Sequence, residues 1–384
     1  MSNIQLIFQS SSFYQEVFQL KENILQNVLY QNQNTPKVNS IYLARVDKIV
    51  DSLGGAFVSL GKEDAFLKLN KNKDSAKVGE KFLVQVVKTA TNPNKLAVVS
   101  KDISLQGGLI ILKPFSKNII FSKKLTEDDK QNVLKHTDLG YGFIVRSLYK
   151  HSFLTDLLAE VNRLKNLWES IKTKTKIGLV YESNFLENII VDSAKSSSLE
   201  VITNTVEDNN LVHNILADYK YLNIQSKIYA GKENILDKYN IAEQLIDVAS
   251  SSLQLNDSLN LLFFEREAFN YIDVNFAGEV SFTSREDVAY KVNMEIMPII
   301  VRQILLRNLS GQILIDILKI TNKLYRNNIL DKAKKLFADD NNKATVLGFS
   351  NLGILEVSRQ KRQDSFNLVN KSKEYQSHIA AIRG

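Results

Sequence analysis

Between residues 40 and 104 the chain is broken into short apolar runs separated by turns: IYLARVDKIV, GGAFVSLG, DAFLKL, KFLVQVVK and KLAVVS. Glycines bound the second run, and TATNPN separates the last two. Five strands this short in so little chain predict a small closed β-barrel. Phe57 and Phe66 fall among Lys62, Lys68, Lys88, Lys95 and Lys101. Aromatic faces beside cations suit single-stranded nucleic acid. The same rings would serve equally as barrel core, and the residues alone leave the two readings level.

Beyond the barrel, GLIILKPF (108–115) and GYGFIVRSL (140–148) read as strands. LTDLLAEVNRLKNLWESIK (154–172) reads as a helix, because Leu154, Leu157, Leu158, Val161, Leu164, Leu167 and Trp168 recur every three or four residues. Thr155 stands near its start as a candidate cap. KIGLVYES and SSLEVITNT are strand-like, and helices are expected within 205–217 and 233–253. The last third alternates: strand–turn–strand over 259–275, a helix over 287–308 with a kink at Pro298, a strand GQILIDIL, a helix over 322–340 and a strand ATVLGFS. That order predicts an α/β chain of several subdomains, ending in a mixed sheet with helices against it.

Two of these strands carry an anomaly. FNYIDVNFAG (269–278) sets Asp273 and Asn275 two apart in an apolar segment, and GQILIDIL (311–318) sets Asp316 between isoleucines. A carboxylate in such a run is costly to bury unless it is paired, protonated or bound to a metal. Both acids are expected near strand ends, where α/β sheets build their sites. Two carboxylates and an amide are hard oxygen donors of the kind magnesium takes, and a metal so held can activate water and stabilise charge on a phosphodiester. Either aspartate alone is better read as a helix cap or a lysine partner. Two of them, each in an apolar strand and joined through a helix, shift the weight towards a site.

Composition narrows the chemistry. The chain of 384 residues is 44% hydrophobic and 24% charged, an ordinary globular balance, and its formal charge of +7 favours an anionic partner. With no cysteine there is no disulfide, thiolate nucleophile or cysteine zinc site. No apolar run approaches a membrane span, and the N-terminus lacks the order of a signal peptide, so a cytoplasmic protein is expected. His136, His151, His213 and His378 are scattered without metal-ligand spacing. Neither a GxxxxGK[ST] phosphate loop nor a GxSxG elbow occurs, and nothing suggests an organic cofactor.

Taken in order, IYLARVDKIVDSLGGAFVSLG, GFIVRS, YIDVN, LRNLSGQILIDI and SNLGILEVSRQKR resemble the bacterial ribonuclease E/G family from about residue 38 to 362. The succession of YIDVN, GQILIDI and GILEVSRQ is the specific part. The resemblance implies a magnesium-dependent endoribonuclease that cleaves single-stranded A/U-rich RNA in messenger decay or in ribosomal or transfer RNA processing. Cleavage would leave 5′-phosphate and 3′-hydroxyl ends. It also implies the start of an RNase H-like subdomain at 1–37 and an OB-type RNA-binding barrel at 38–104. The RNase H-like and 5′-sensor region would continue over 105–215, with a deoxyribonuclease-like catalytic subdomain at 216–384. Asp273 and Asp316 match the family's magnesium carboxylates, and Asn275 the residue that supports them and the attacking water. Arg146 matches the arginine that grips an RNA 5′-monophosphate, with Ser147 where threonine is usual. Phe57 and Phe66 match aromatics that stack on RNA, and Lys343 stands where the family has a basic residue near the cleaved phosphate.

Departures accompany the match. After YIDVN the run is Phe276, Ala277, Gly278 and Glu279, where the family has small, hydroxyl and basic residues. Lys319 replaces a second acid three residues after Asp316. Drift around metal ligands typically lowers affinity or rate by about one or two orders of magnitude. The family's intersubunit cysteine zinc link cannot form, so no zinc is expected and any homo-oligomer would lack it. Since 22 residues follow SRQKR, the small oligomerisation domain is also expected to be missing. The alternative reading is a catalytically decayed RNA-binding protein of the same fold. Retention of both acids and Asn275 favours the enzyme.

Overall fold

The computed structural model describes residues 4–69, 75–90, 95–136, 140–194, 198–266, 268–278, 285–338, 340 and 342–383. Contacts divide the chain into two compact units, Met1–Val17 with Tyr30–Tyr229, and Phe18–Leu29 with Ala230–Gly384. Among the described residues no helix is long and apolar enough to cross a membrane.

The chain opens with three strands, β1 (Ile4–Ser10), β2 (Tyr14–Lys21) and β3 (Ile24–Asn32). Glu22 and Asn23 join the last two with φ of 53° and 62°, the left-handed pair that a two-residue hairpin turn requires. The barrel follows: β4 (Ile41–Val50), β5 (Gly55–Ser59), β6 (Asp64–Lys68), β7 (Lys81–Lys88) and β8 (Ala97–Ser100). Its order is β4-β5-β6-β8-β7, with β7 returning to pair with β4, so the sheet closes as expected. Strands β6 and β8 run parallel. Alanine, valine and leucine side chains fill the narrow interior: Ala44, Val46, Ala56, Val58, Ala65, Leu67, Val84, Val86 and Val99. Strand alternation therefore turns Phe57 and Phe66 outward, and the core reading of these rings is corrected. Residues 91–94 of the turn TATNPN lie outside the described residues.

Next come β9 (Leu105–Gln106), β10 (Ile110–Lys113), β11 (Ile119–Phe121), α1 (Glu127–His136) and β12 (Gly142–Val145), whose strands form a sheet ordered β11-β12-β10-β9. Helix α2 (Leu154–Lys172) buries Leu157, Val161, Leu164, Trp168 and Ile171 in one cluster with Leu109, Leu112, Phe143 and Val145 of this region. Thr155 does not cap it. A 3-10 turn, His151–Phe153, leads in, the N-cap is Phe153, and Thr155 is exposed inside the first turn. Strand β13 (Gly178–Tyr181) pairs with β4, and α3 (Phe185–Ser193), β14 (Leu199–Thr203), α4 (Val206–Ala217) and β15 (Ile224–Ile228) follow. Strand β14 lies parallel between β1 and β15, so the barrel is inserted, in chain order, between partners of one sheet.

The second unit contains α5 (Ile235–Lys238), α6 (Ile241–Ala249), β16 (Ser252–Asn256), β17 (Leu259–Glu265), β18 (Asn270–Phe276), α7 (Arg285–Leu306), β19 (Gly311–Asp316), α8 (Lys323–Leu336), β20 (Thr345–Phe349) and β21 (Leu355–Arg359). Its six strands form a mixed sheet in the order β16-β17-β18-β19-β21-β20. One face packs Leu261, Phe263, Ile272, Val274, Ile313, Ile315, Leu355 and Val357 with Ile296, Met297, Ile300 and Ile304 of α7 and Ile329 and Ala333 of α8. Pro298 lies inside α7, which continues through it. Each such buried side chain is worth about 1.5–3 kcal/mol, so a one-residue slip that turned this row outward would be prohibitive. The same alternation puts Asn260, Leu262, Phe264, Tyr271, Asp273, Asn275, Leu314 and Asp316 on the opposite face, where all are half-buried or exposed.

Arg307, fully buried after α7, ties this unit together through backbone carbonyls. It donates to the carbonyls of Asp247 (2.9 Å) and Ser250 (2.5 Å) at the C-terminal end of α6, and its guanidinium stands 3.7 Å from the centroid of Phe263. Burial pushes its pKa down to about 10, the charges of Glu265 and Asp247 opposing.

Candidate active site

Strands β18 and β19 are parallel, and their register sets Asp273 directly beside Asp316. Adjacent strands lie about 4.8 Å apart, close enough for one cation to meet both carboxylates. Each acid is already oriented from within. Asn275 donates through Nδ2 to Oδ2 of Asp273 at 3.0 Å, and the Tyr271 hydroxyl donates to Oδ2 of Asp316 at 2.7 Å. Among the described residues, the Oδ1 atoms of both acids accept no hydrogen bond, and neither acid is ion-paired. Two registered carboxylates, each with one oxygen engaged and one open, are a donor set that fits a small hard cation completing its shell with water. No cluster of three or more His, Cys, Asp or Glu suited to a metal occurs among the described residues, so the protein would supply few ligands. The hydrogen bond to Asp316, followed by burial and the charges of Asp316 and Asp273, pushes the Tyr271 pKa up to about 12.

The loop after Asp316 is held by α7. Asn293, completely buried, donates to the Leu318 carbonyl (2.7 Å) and accepts from the Leu318 amide (3.1 Å). Glu286 accepts from the Thr321 amide (2.5 Å) and hydroxyl (2.8 Å) and from the Asn322 amide (2.7 Å). These bonds, the backbone one from Asn322 foremost, hold the Glu286 pKa below its usual value. Asn322 then caps α8 by accepting from Leu324. Arg326 donates to the Ile320 carbonyl at 2.8 Å and lies 5.3 Å over the Phe349 ring, a cation at the same edge as the acids. Sequence reading missed all four of Tyr271, Glu286, Asn293 and Arg326. A signal existed for Tyr271, two residues before Asp273 in the same strand, and for Asn293, a polar residue amid the apolar face of α7.

On the barrel, Phe57 and Phe66 are cross-strand partners with centroids 5.7 Å apart, edge to face. Register carries the same outward row to Lys48 on one side of the pair and through Val98 to Lys88 on the other. Lys101 instead sits 3.8 Å over Phe82. Gly55 makes the Phe66 ring position available, since a Cβ there would lie 2.4 Å from Cζ of that ring.

A sequence profile of the Ribonuclease E/G family matches residues 104–362. Ribonuclease G of Escherichia coli (strain K12) is 24% identical over 368 aligned positions, covering 86% of this chain and 74% of the relative. A Ribonuclease E/G-like protein of Pyropia yezoensis is 25% identical over 390, covering 93% and 74%. Ribonuclease G of Haemophilus influenzae is 25% identical over 371, covering 86% and 74%. The chain belongs to the ribonuclease E/G family. It is by that membership an endoribonuclease in type, and the matched span contains Arg146, Ser147, Asp273, Asn275, Asp316 and Lys343.

Two of these family-matched positions differ from expectation. Arg146 is largely buried: Nη2 pairs with the Asp192 carboxylate and Nη1 donates to the Gly107 carbonyl at 2.7 Å. That carbonyl belongs to a tight turn whose amides, Gly108, Leu109 and Ile110, all donate to Glu160 at 2.9–3.0 Å. Ser147, the next residue, lines a cavity of about 440 Å³ with Lys124, Lys150, Phe153, Tyr221 and Asn223. Lys343 is the correction. Thr345 pairs with Ser358, and Ser358 with Gln312, four residues before Asp316. Four residues of strand are about 13 Å, so Lys343, preceding Thr345, stands at the opposite end of the sheet from the acids. Helix α8 causes this by returning the chain to the starting edge before β20. Of the run after YIDVN, Glu279 lies outside the described residues.

Proposed function

We propose that the protein is a magnesium-dependent endoribonuclease acting on single-stranded, A/U-rich RNA, with Asp273 and Asp316 as the metal carboxylates. The observation that carries this reading is their paired register with one open oxygen on each. Magnesium held there would supply a Lewis acid and an activated water for phosphodiester hydrolysis, leaving 5′-phosphate and 3′-hydroxyl ends. Asn275 and Tyr271 hold the two carboxylates in orientation, which removes freedom that would otherwise be lost on each binding event.

The outward Phe57–Phe66 pair between Lys48 and Lys88 supports RNA stacking on an OB-type barrel, whose strand order and parallel β6–β8 pair fit that name. The insertion of the barrel between β1–β3 and β14 is in keeping with an RNase H-like subdomain, and the helix-backed mixed sheet with a deoxyribonuclease-like one. Arg146 would engage a 5′-monophosphate by exchanging the Asp192 carboxylate for the phosphate, with Ser147 adding a hydroxyl from the neighbouring cavity. The targets would be messenger, ribosomal or transfer RNA precursors.

The test is incubation of the protein with a labelled, 5′-monophosphorylated, A/U-rich single strand, with and without magnesium, beside Asp316→Asn. Magnesium-dependent cleavage that the variant loses supports the reading. Binding without cleavage by the parent protein would overturn it in favour of an RNA-binding role.

A further inference from the structure

The open face of the second unit's sheet carries an aromatic pair of which the chemistry above uses only the tyrosine hydroxyl. Phe264 on β17 and Tyr271 on β18 are cross-strand partners in register, with ring centroids 6.0 Å apart and planes tilted by 45°. They share a face with the acids: Leu262 pairs with Asp273 in the next row, and Asn260 with Asn275 in the row beyond. Rows on one face are two residues, about 7 Å, apart. The acids are thus flanked by aromatics on one side and amides on the other. Phe263 supplies the core side of β17, whereas Phe264 remains 40% exposed. A single exposed phenylalanine is ordinary. Here, however, its partner ring is tethered, because the Tyr271 hydroxyl is committed to Asp316 at 2.7 Å. The tether fixes the position of the tyrosine ring relative to the carboxylate that would bind metal.

We propose that Phe264 and Tyr271 form a nucleobase-stacking platform that seats a nucleotide next to the scissile phosphate. The proposal rests on the reading of Asp273 and Asp316 as the cleavage centre. The occupant is an RNA base rather than protein because the pair is continuous with that centre and lies on a polar face. Its own row continues through Leu314 to Glu356, the next holds the two acids, and the one beyond them holds Asn260 and Asn275. An aromatic face accepts any base, so the platform aligns the strand without selecting sequence. Tyr271 has two duties, orienting Asp316 through its hydroxyl and stacking through its ring.

The experiment uses single-stranded RNAs with 2-aminopurine at each position flanking the cleavage site, bound to the full-length protein in chelator, with steady-state cleavage measured in magnesium. The parent protein should quench one flanking position. Phe264→Leu, which keeps an apolar side chain on the strand, should lose that quench and raise KM about tenfold, and Phe264→Trp should restore both. Tyr271→Phe should keep the quench but weaken manganese binding measured by calorimetry. An unchanged quench and KM in Phe264→Leu would remove the platform while leaving the nuclease standing. Failure of the parent protein to cleave would bring down the underlying reading and the platform with it. A change in sedimentation rather than in quench would assign the ring to a contact between copies.

Discussion

Glu160 offers the sharpest energetic test of how Arg146 is held. Its carboxylate, 4% exposed on α2, receives four donors: the amides of Leu109 and Ile110 on Oε1 (both 2.9 Å), and the Gly108 amide (3.0 Å) and Tyr221 hydroxyl (2.8 Å) on Oε2. The turn admits this only because it is glycine. A Cβ on Gly107 would lie 2.3 Å from Oε1 of Glu160, and one on Gly108 would lie 2.1 Å from the Tyr221 hydroxyl. Glu160→Gln keeps the shape but turns one acceptor into a donor. Bonds to a charged group are worth about 1.5–3 kcal/mol each. With the amide nitrogen at the Oε2 position, Tyr221 can rotate its hydroxyl to accept, so one amide loses its partner and the others lose the charge. The sum is about 3 kcal/mol. Urea unfolding of parent and variant should register that loss. The turn also supplies the carbonyls of Gly107, which binds the Arg146 guanidinium, and of Leu109, which accepts from the Arg146 amide at 2.8 Å. The ratio of cleavage of 5′-monophosphate to 5′-hydroxyl RNA should therefore fall as well. A variant within about 0.5 kcal/mol of the parent, with the ratio intact, would refute the reasoning.

Four further outcomes are expected. Asn293→Ala strips both partners from the Leu318 backbone, costing about 2 kcal/mol in thermal unfolding and more in cleavage rate, since the freed loop follows Asp316; equal rates in both proteins would contradict this. Gly55→Ala sets a Cβ 2.4 Å from both the Leu67 carbonyl and the Phe66 ring, so it should displace the β5–β6 backbone as well as the ring, lowering thermal stability and weakening single-strand binding in a fluorescence titration; a variant unchanged in both would contradict this. Tyr271 has a folded pKa raised to about 12 from 10.0, so its contribution to stability is complete below pH 10 and lost as pH rises through 12. The ultraviolet tyrosinate titration of Tyr271→Phe should lose one tyrosine's amplitude from that late step, which Tyr181, pushed up to about 12 chiefly by burial, shares. Asp192→Asn releases the Arg146 guanidinium and should increase the preference for 5′-monophosphate RNA; an unchanged ratio counts against Arg146 as the phosphate ligand.

Much was legible without coordinates where local period decides structure. Alternation over short runs predicted the closed barrel, a three-to-four repeat predicted α2, and the strands bearing Asp273 and Asp316 stand where the apolar runs put them. Thr155 misled because a 3-10 turn fills the capping position before it. The period also says that Tyr271, Asp273 and Asn275 share a face. It cannot say what lies across from them, because pairing depends on residues far along the chain.

Those pairings belong to the tertiary structure. Phe57 and Phe66 face outward because smaller residues on the alternate positions suffice to fill a narrow barrel. Asp273 meets Asp316 because the apolar row behind them has one favourable register against α7 and α8, and burying that row leaves the acids no other place. Lys343 lies remote from them for the same reason, since α8 must cross the sheet to cover it and so delivers the chain to the far edge. Sequence alone determined which residues could carry the chemistry and on which faces they lie. Long-range burial decided which of them meet.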